Sequence, residues 1–326
     1  MARLNFVTVP KILLLVFTIY ISFGISKSNG AEKNNSLNYG VITGCWDVTV
    51  QTSTTEYPSW FEIIEKDGIL TGIFVGRFGS ARPIKLVTFD GDLLTLSLPP
   101  QYEAQKEQLV FTGKVNNGLI EGETKTEKGE AVRYRAERAP ALKSQGQPKW
   151  GTPINLIQDA TLSNWVTRNQ NIKNSWTVQN DVLINAPKGV DIMTKEKFCD
   201  FKLHIEFKLA NKSNSGIYLR GRYEVQIQDT YGMHPESHRC CGIYGFIAPT
   251  VMTVKRAGEW NTADITLVGR NVTLILNDIK IIDDVEIPGI TGGAIDSREG
   301  EPGPLLLQGD HGYIEFRNII LTPALE

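Results

Sequence analysis

Residues 214–229 read N-S-G-I-Y-L-R-G-R-Y-E-V-Q-I-Q-D, and apolar and polar side chains alternate along them. Ile217, Leu219, Tyr223, Val225 and Ile227 fall on one side. Tyr218, Arg220, Arg222, Glu224, Gln226 and Gln228 fall on the other. A period of two excludes a helix and requires a strand with a buried apolar face. The polar face is a row of guanidiniums, amides, a carboxylate and a phenol, groups that hydrogen-bond in a plane and suit sugars or carboxylates. The competing reading is a charge-laced outer face of a β-sandwich.

The run is too long for one strand, whose usual length is about 5–6 residues, so a break is expected near Gly221. A two-residue hairpin would place Leu219 opposite Glu224 and mix the faces. A three-residue loop, Arg220 to Arg222, pairs Tyr218 with Glu224 and preserves them. Tyr218, Glu224, Gln226 and Gln228 then share a face, with Arg220 and Arg222 at its rim.

The rest of the chain is written in the same all-β grammar. Between residues 45 and 137, eight short strand-like runs are separated by Lys66-Asp67-Gly68, Asp90-Gly91-Asp92, Asn116-Asn117-Gly118 and Lys128-Gly129. Such turn signals on even spacing predict a small antiparallel barrel or sandwich over residues 31–139. It contains no histidine, shows no catalytic constellation and reads as a scaffold or accessory binding module. Residues 140–149 lose the alternation, gain Pro, Gly, Ser and Gln, and read as a linker. Residues 150–326 again alternate in strands joined by long loops at 230–249 and 285–303, which fits a two-sheet jelly roll. One run, 176–183, reads as a single strand.

Residues 1–30 carry Arg3 and Lys11 ahead of an apolar run, 12–23, followed by small residues. That is the form of a secretory signal peptide, and the run is short of the roughly 20 apolar residues of a membrane span. Export to the periplasm or the extracellular space is expected, with no stable membrane span after removal. A formal net charge of −2 gives no basic surplus for nucleic acid. The four cysteines, Cys45, Cys199, Cys240 and Cys241, could pair, form a strained vicinal bond at 240–241, or stay as thiols.

The second half resembles a known family, the 3-keto-disaccharide hydrolase domain. Asp200-Phe201-Lys202-Leu203 with Glu206-Phe207 resembles its D-F-x-L-x-x-E-F strand. Asn214-Ser215-Gly216-Ile217 with Leu219-Arg220-Gly221, then Tyr223-Glu224-Val225-Gln226-Ile227 with Asp229, resemble its central hairpin. Gly242-Ile243-Tyr244, Gly258-Glu259-Trp260-Asn261 and Gly303-Pro304-Leu305 through Gln308 and His311-Gly312 to Phe316-Arg317-Asn318 follow in order. The resemblance implies a concanavalin-like jelly roll that cleaves 3-keto-glycosides. The first domain lies outside it.

The implied chemistry has a physical logic. A ketone at carbon 3 acidifies the hydrogen at carbon 2; a base removes it, an enolate forms, the glycosidic oxygen leaves carbon 1, and water adds back. This needs a tuned base, a proton donor and a group to hold the enolate. It dispenses with the two matched carboxylates of ordinary glycosidases, about 5–5.5 Å apart in retaining enzymes, and the strand offers E-x-Q-x-x-D rather than such a pair. Glu224 and His311 are assigned as base or acid and Arg220 as enolate stabiliser. Tyr218, Gln226, Gln228, Tyr244, Trp260 and Gln308 are assigned to substrate binding. No metal site is assigned; a divalent metal is compatible with direct hydrolysis but not required. His234 and His238 could share a metal only on a helix, which Pro235 opposes. His204 suits the concave face or solvent equally. The alternative function is a lectin-like module that binds sugar without chemistry.

Overall fold

A computed structural model describes residues 38–102, 106–126, 128–142, 146 and 148–325. The leader expected over residues 1–30 lies outside them. The described chain is built of strands, with one turn of 3-10 helix at Tyr39–Val41.

Nine strands form the first sheet: β1 (Gly44–Gln51), β2 (Glu56–Lys66), β3 (Ile69–Val75), β4 (Arg82–Pro83), β5 (Leu86–Phe89), β6 (Leu93–Leu98), β7 (Leu109–Asn116), β8 (Leu119–Lys125) and β9 (Ala131–Arg138). Their order is β4-β3-β2-β1-β9-β8-β7-β6-β5, all antiparallel. The turn glycines Gly68 and Gly118 take positive φ, as the tight hairpins require. The sheet curls around its own core, in which Trp46, Val48, Phe61, Phe74, Leu94, Leu96 and Phe111 are buried together.

Strand β2 is buried on both faces at its centre, from Pro58 to Phe61. Phe61 points into the sheet's own core, whereas Trp60, of opposite parity, belongs to the core of the second half. The Trp60 indole lies against the backbone of Gly289, where a Cβ would approach its Nε1 to 2.2 Å. Val75 of β3 joins Trp60 in that core, so the first sheet contributes buried side chains to the second half.

The second half is a sandwich. Its larger sheet holds β10 (Ile154–Asn155), β12 (Thr177–Gln179), β13 (Val182–Asn185), β15 (Phe201–Leu209), β18 (Trp260–Val268), β19 (Asn271–Leu276), β20 (Ile279–Glu286) and β22 (Ile314–Pro323). Its smaller sheet holds β11 (Trp165–Thr167), β14 (Ile192–Thr194), β16 (Asn214–Leu219), β17 (Tyr223–Gln228) and β21 (Leu306–Leu307), ordered β11-β14-β21-β16-β17. The apolar faces meet in one core: Leu203, Ile205, Phe207, Ile265, Leu274 and Phe316 against Ile217, Leu219, Val225, Ile227 and Leu307. The run read as one strand at 176–183 is instead the β12–β13 hairpin. Asn180 and Asp181 both take φ of 50–60°, which polar side chains of this type tolerate.

The break in the central run falls where the loop argument places it. Residues 220–222 form the turn, and Tyr218 pairs with Glu224. The competing reading of a charge-laced outer face fails, for Tyr218, Glu224 and Gln226 are all buried. Loops cover that face, the 230–249 loop by pairing its own backbone with β17. Gln226 N–H donates to Gly242 O (2.9 Å), and Cys241 N–H donates to Gln226 O (2.6 Å). The cysteines stand as thiols, with the Cys240 and Cys241 sulfurs 3.9 Å apart.

Candidate active site

The buried polar face of β16–β17 forms the floor of a cavity of about 350 Å³. Tyr218, Glu224 and Gln226 line it from the hairpin, Gln308 and His311 from the segment after β21, and Tyr244 from the 230–249 loop. Six of the nine residues assigned from sequence therefore meet in one place. Glycines make the room: a Cβ on Gly216 would stand 2.6 Å from Glu224 Oε1, and one on Gly293 would stand 2.5 Å from the Tyr218 hydroxyl.

Burial dominates the electrostatics. It pushes the Glu224 carboxyl up to about 8, against smaller opposing effects of a hydrogen bond from Tyr218 and the charge of His311. Glu224 is therefore largely protonated at neutral pH. The Tyr218 phenol, raised by burial and then by Glu224, stays protonated and donates to Gly292 O at 3.1 Å. At the rim, His311 Nδ1 pairs with the Asp310 carboxylate, which raises the imidazole and lowers the carboxyl. Burial raises Asp191 as well, while Gly309 N–H (3.0 Å) and Arg168 (3.4 Å) hold its two oxygens.

Two acceptors in the cavity lining, Asn214 Oδ1 and Gln308 Oε1, are buried without a hydrogen-bond partner. Buried polar atoms are ordinarily satisfied, so these atoms suit a ligand's hydroxyls. Among the described residues, no group of three or more His, Cys, Asp or Glu side chains is arranged to hold a metal ion.

Three assigned residues lie elsewhere. Arg220 has φ of 50°, which takes it out of the strand's alternation. Its buried guanidinium binds the Gly269 carbonyl and the Tyr223 hydroxyl, not the cavity. Trp260 sits on the outer face of the larger sheet, between Lys208 and Arg317, whose cationic groups lie 5.0 and 4.1 Å from its ring. Its parity in β18 opposes that of the buried Asn261 and Ala263. Gln228 shares the face of Glu224 and Gln226 but lies beyond the cavity lining, at the end of β17. His204 pairs with Asp264 (2.7 Å) away from the cavity, and His234 and His238 lie in a loop without helix.

The structure adds residues that the alternation could not reveal. Arg168 and Asp191 come from loop positions flanking short strands. Arg168 donates to Gly293 O (2.8 Å) and Ala294 O (3.0 Å), tying the covering loop to the smaller sheet. Asp310, the chain neighbour of His311, also lines the cavity. Phe78, Gly79 and Tyr102 reach the cavity from the nine-stranded sheet.

A family model described as a 3-keto-alpha-glucoside-1,2-lyase-like domain matches residues 152–322. Among solved structures the chain is similar to proteins of Parabacteroides distasonis described as candidate glycosyl hydrolases. One is 28% identical with a TM-score of 0.46, over 56% of this chain and 93% of that one. Another is 26% identical with a TM-score of 0.42, over 54% of this chain and 100% of that one. No curated protein matches.

Proposed function

The chain belongs to the 3-keto-alpha-glucoside-1,2-lyase-like family through residues 152–322, a glycoside-processing family, and from that premise we propose that it cleaves 3-keto-glycosides by elimination and water addition. The observation that carries the reading is a carboxyl raised to about 8, Glu224, in one cavity with the His311–Asp310 pair. Groups whose environments separate their protonation states are what acid–base chemistry at neutral pH requires.

With Glu224 protonated and His311 neutral, His311 takes the proton from carbon 2 and Glu224 gives one to the departing glycosidic oxygen. Asp310 holds the imidazole by its Nδ1, leaving Nε2 as the base. The reverse assignment makes an ionised Glu224 the base, and burial opposes that ionisation by holding its carboxyl at about 8. Arg168, the guanidinium in the cavity lining, replaces Arg220 as the group that holds the enolate. Tyr218, Gln226, Gln308 and Asn214 bind the sugar hydroxyls.

A second reading has one observation in its favour. Asp191 supplies the cavity with another carboxylate, so Glu224 and Asp191 could serve direct hydrolysis of an unoxidised glycoside. The experiment separates the two: the full chain is given a disaccharide and its 3-ketone in deuterated water. The elimination route gives cleavage of the ketone alone, with deuterium at carbon 2 of the product. Equal cleavage of the parent sugar favours the Asp191 route. Binding of both without turnover leaves a lectin. The leader-like residues 1–30 support export as part of the proposal, which N-terminal sequencing of the mature protein tests.

A further inference from the structure

The family match begins at residue 152, yet part of the cavity wall comes from the nine-stranded sheet. Phe78 and Tyr102 are 47% and 66% exposed there. Large rings left in water on a cleft wall mark a contact surface.

These rings are held in place. The Arg77 guanidinium lies 5.0 Å from the Phe78 ring centre, and Arg77 O accepts from Gly293 N–H at 2.9 Å. Tyr102 lies over Gly79, where a Cβ would fall 2.7 Å from its Cδ2, and its hydroxyl hydrogen-bonds Tyr244. Gly79 in turn abuts Gly292, whose Cβ would sit 2.0 Å from Gly79 O. Gly292 is the residue whose carbonyl receives the Tyr218 hydroxyl. The wall is thus docked on the loop that positions the floor of the cavity.

We propose that this wall is the leaving-group subsite: Phe78 and Tyr102 stack on a flat, apolar-faced leaving group, either a second pyranose ring or an aryl aglycone. The assignment rests on the cavity being the site of 3-keto-glycoside cleavage proposed above. The keto-sugar needs the acid, the base and the hydrogen-bonding groups, all of which the sandwich supplies. Phe78 offers none of these, only a ring face, and the C–H faces of a pyranose or the π-face of an aryl group pack on such a surface. Phe78 and Tyr102 are therefore specificity-determining rather than catalytic residues. Substrates whose leaving group is a small alcohol gain nothing from them.

The test uses the full chain and three 3-keto-glucosides, with methyl, 4-nitrophenyl and glucosyl leaving groups. Phe78→Ala, Phe78→Leu, Tyr102→Ala and Tyr102→Phe are compared with wild type for KM and kcat. Phe78→Ala and Tyr102→Ala are expected to raise KM about 5–20-fold for the 4-nitrophenyl or the glucosyl substrate. The methyl substrate should change less than about twofold, and Tyr102→Phe, which keeps the ring and loses only its bond to Tyr244, should raise KM for the larger substrates less than Tyr102→Ala does. Whichever of the two larger substrates loses more identifies the leaving group. A uniform loss across all three, a loss in Tyr102→Phe equal to that in Tyr102→Ala, or no loss at all overturns the subsite. If wild type cleaves none of them, the functional reading falls, and calorimetry with 4-nitrophenyl and methyl glucosides still tests the wall. Tighter binding of the aryl glucoside that disappears in Phe78→Ala upholds it; equal binding of both by wild type overturns it.

Discussion

Tyr218 and Glu224 are direct cross-strand partners, and the Tyr218 phenol reaches both the Glu224 carboxyl and the carbonyl of Gly292. A phenol has one proton. While Glu224 is protonated it can donate to the phenol oxygen, and the phenol proton goes to Gly292. When Glu224 ionises, the phenol must turn toward it and leave Gly292 unsatisfied. The hydrogen bond from Tyr218 lowers the Glu224 pKa, so Tyr218→Phe should raise it further. The alkaline limb of the kcat/KM profile is expected to move to higher pH, with turnover down about tenfold. A limb that stays put, or moves down, would show that Tyr218 does not touch the titrating group.

Glu224→Gln and His311→Ala should each lower kcat by about 10²–10⁴, the usual range for a general acid or base. Their pH profiles should differ. Loss of Glu224 removes the alkaline limb near pH 8, and loss of His311 removes the acidic one. Stopped-flow or steady-state rates across about pH 5–10 read both. A profile in which Glu224→Gln removes the acidic limb would exchange the two roles.

Asp47 tests the electrostatics of the shared interface independently of catalysis. Burial first, and Glu299 second, raise its carboxyl to about 8, while Asp47 Oδ1 and Glu299 Oε1 are buried without partners. A folded-state pKa above the unfolded value of 3.8 means that the protonated form stabilises the fold. That stability is fully present below about pH 4 and is lost as pH rises through about 8. Asp47→Asn should therefore leave Tm unchanged near pH 4 and raise it at pH 8–9, with activity unaltered. Thermal melts at both pH values check this, and a lower Tm at pH 9 would count against the assignment.

How far the sequence reveals the site follows from where each side chain gets its direction. Tyr218, Glu224 and Gln226 are placed by strand parity, which the sequence states outright. His311 and Gln308 come with the resemblance of the closing segment. Arg220 fails because one left-handed residue cancels parity, and nothing in R-G-R distinguishes a guanidinium at the rim from one folded under it. Trp260 fails because a motif tryptophan on an outer face looks the same as one in a cleft until the strand's partners are known. Arg168, Asp191, Phe78 and Tyr102 lie outside any regular period, and their convergence exists only in the tertiary packing. The burial of the polar face has the same origin, since covering loops leave no trace in the pattern of the strand they cover.

Of Arg220 and Arg168, only Arg168 lines the cavity. Arg220 is buried, holds Gly269 O and Tyr223, and has an unpartnered Nε. Arg220→Lys keeps the charge but loses the planar fork. It should lower stability by about 1–3 kcal/mol, the cost of leaving buried groups unpaired, while folded protein keeps wild-type kcat and KM. Arg168 is only partly buried and faces the cavity, yet it also clasps Gly293 O and Ala294 O. Arg168→Lys should lower kcat at least tenfold, because a point charge cannot hold two carbonyls and an enolate oxygen together. Tm and steady-state kinetics on the two variants side by side decide the matter. Normal turnover in Arg168→Lys with loss of turnover in well-folded Arg220→Lys would return the enolate to Arg220 and reject the cavity as the place where it forms.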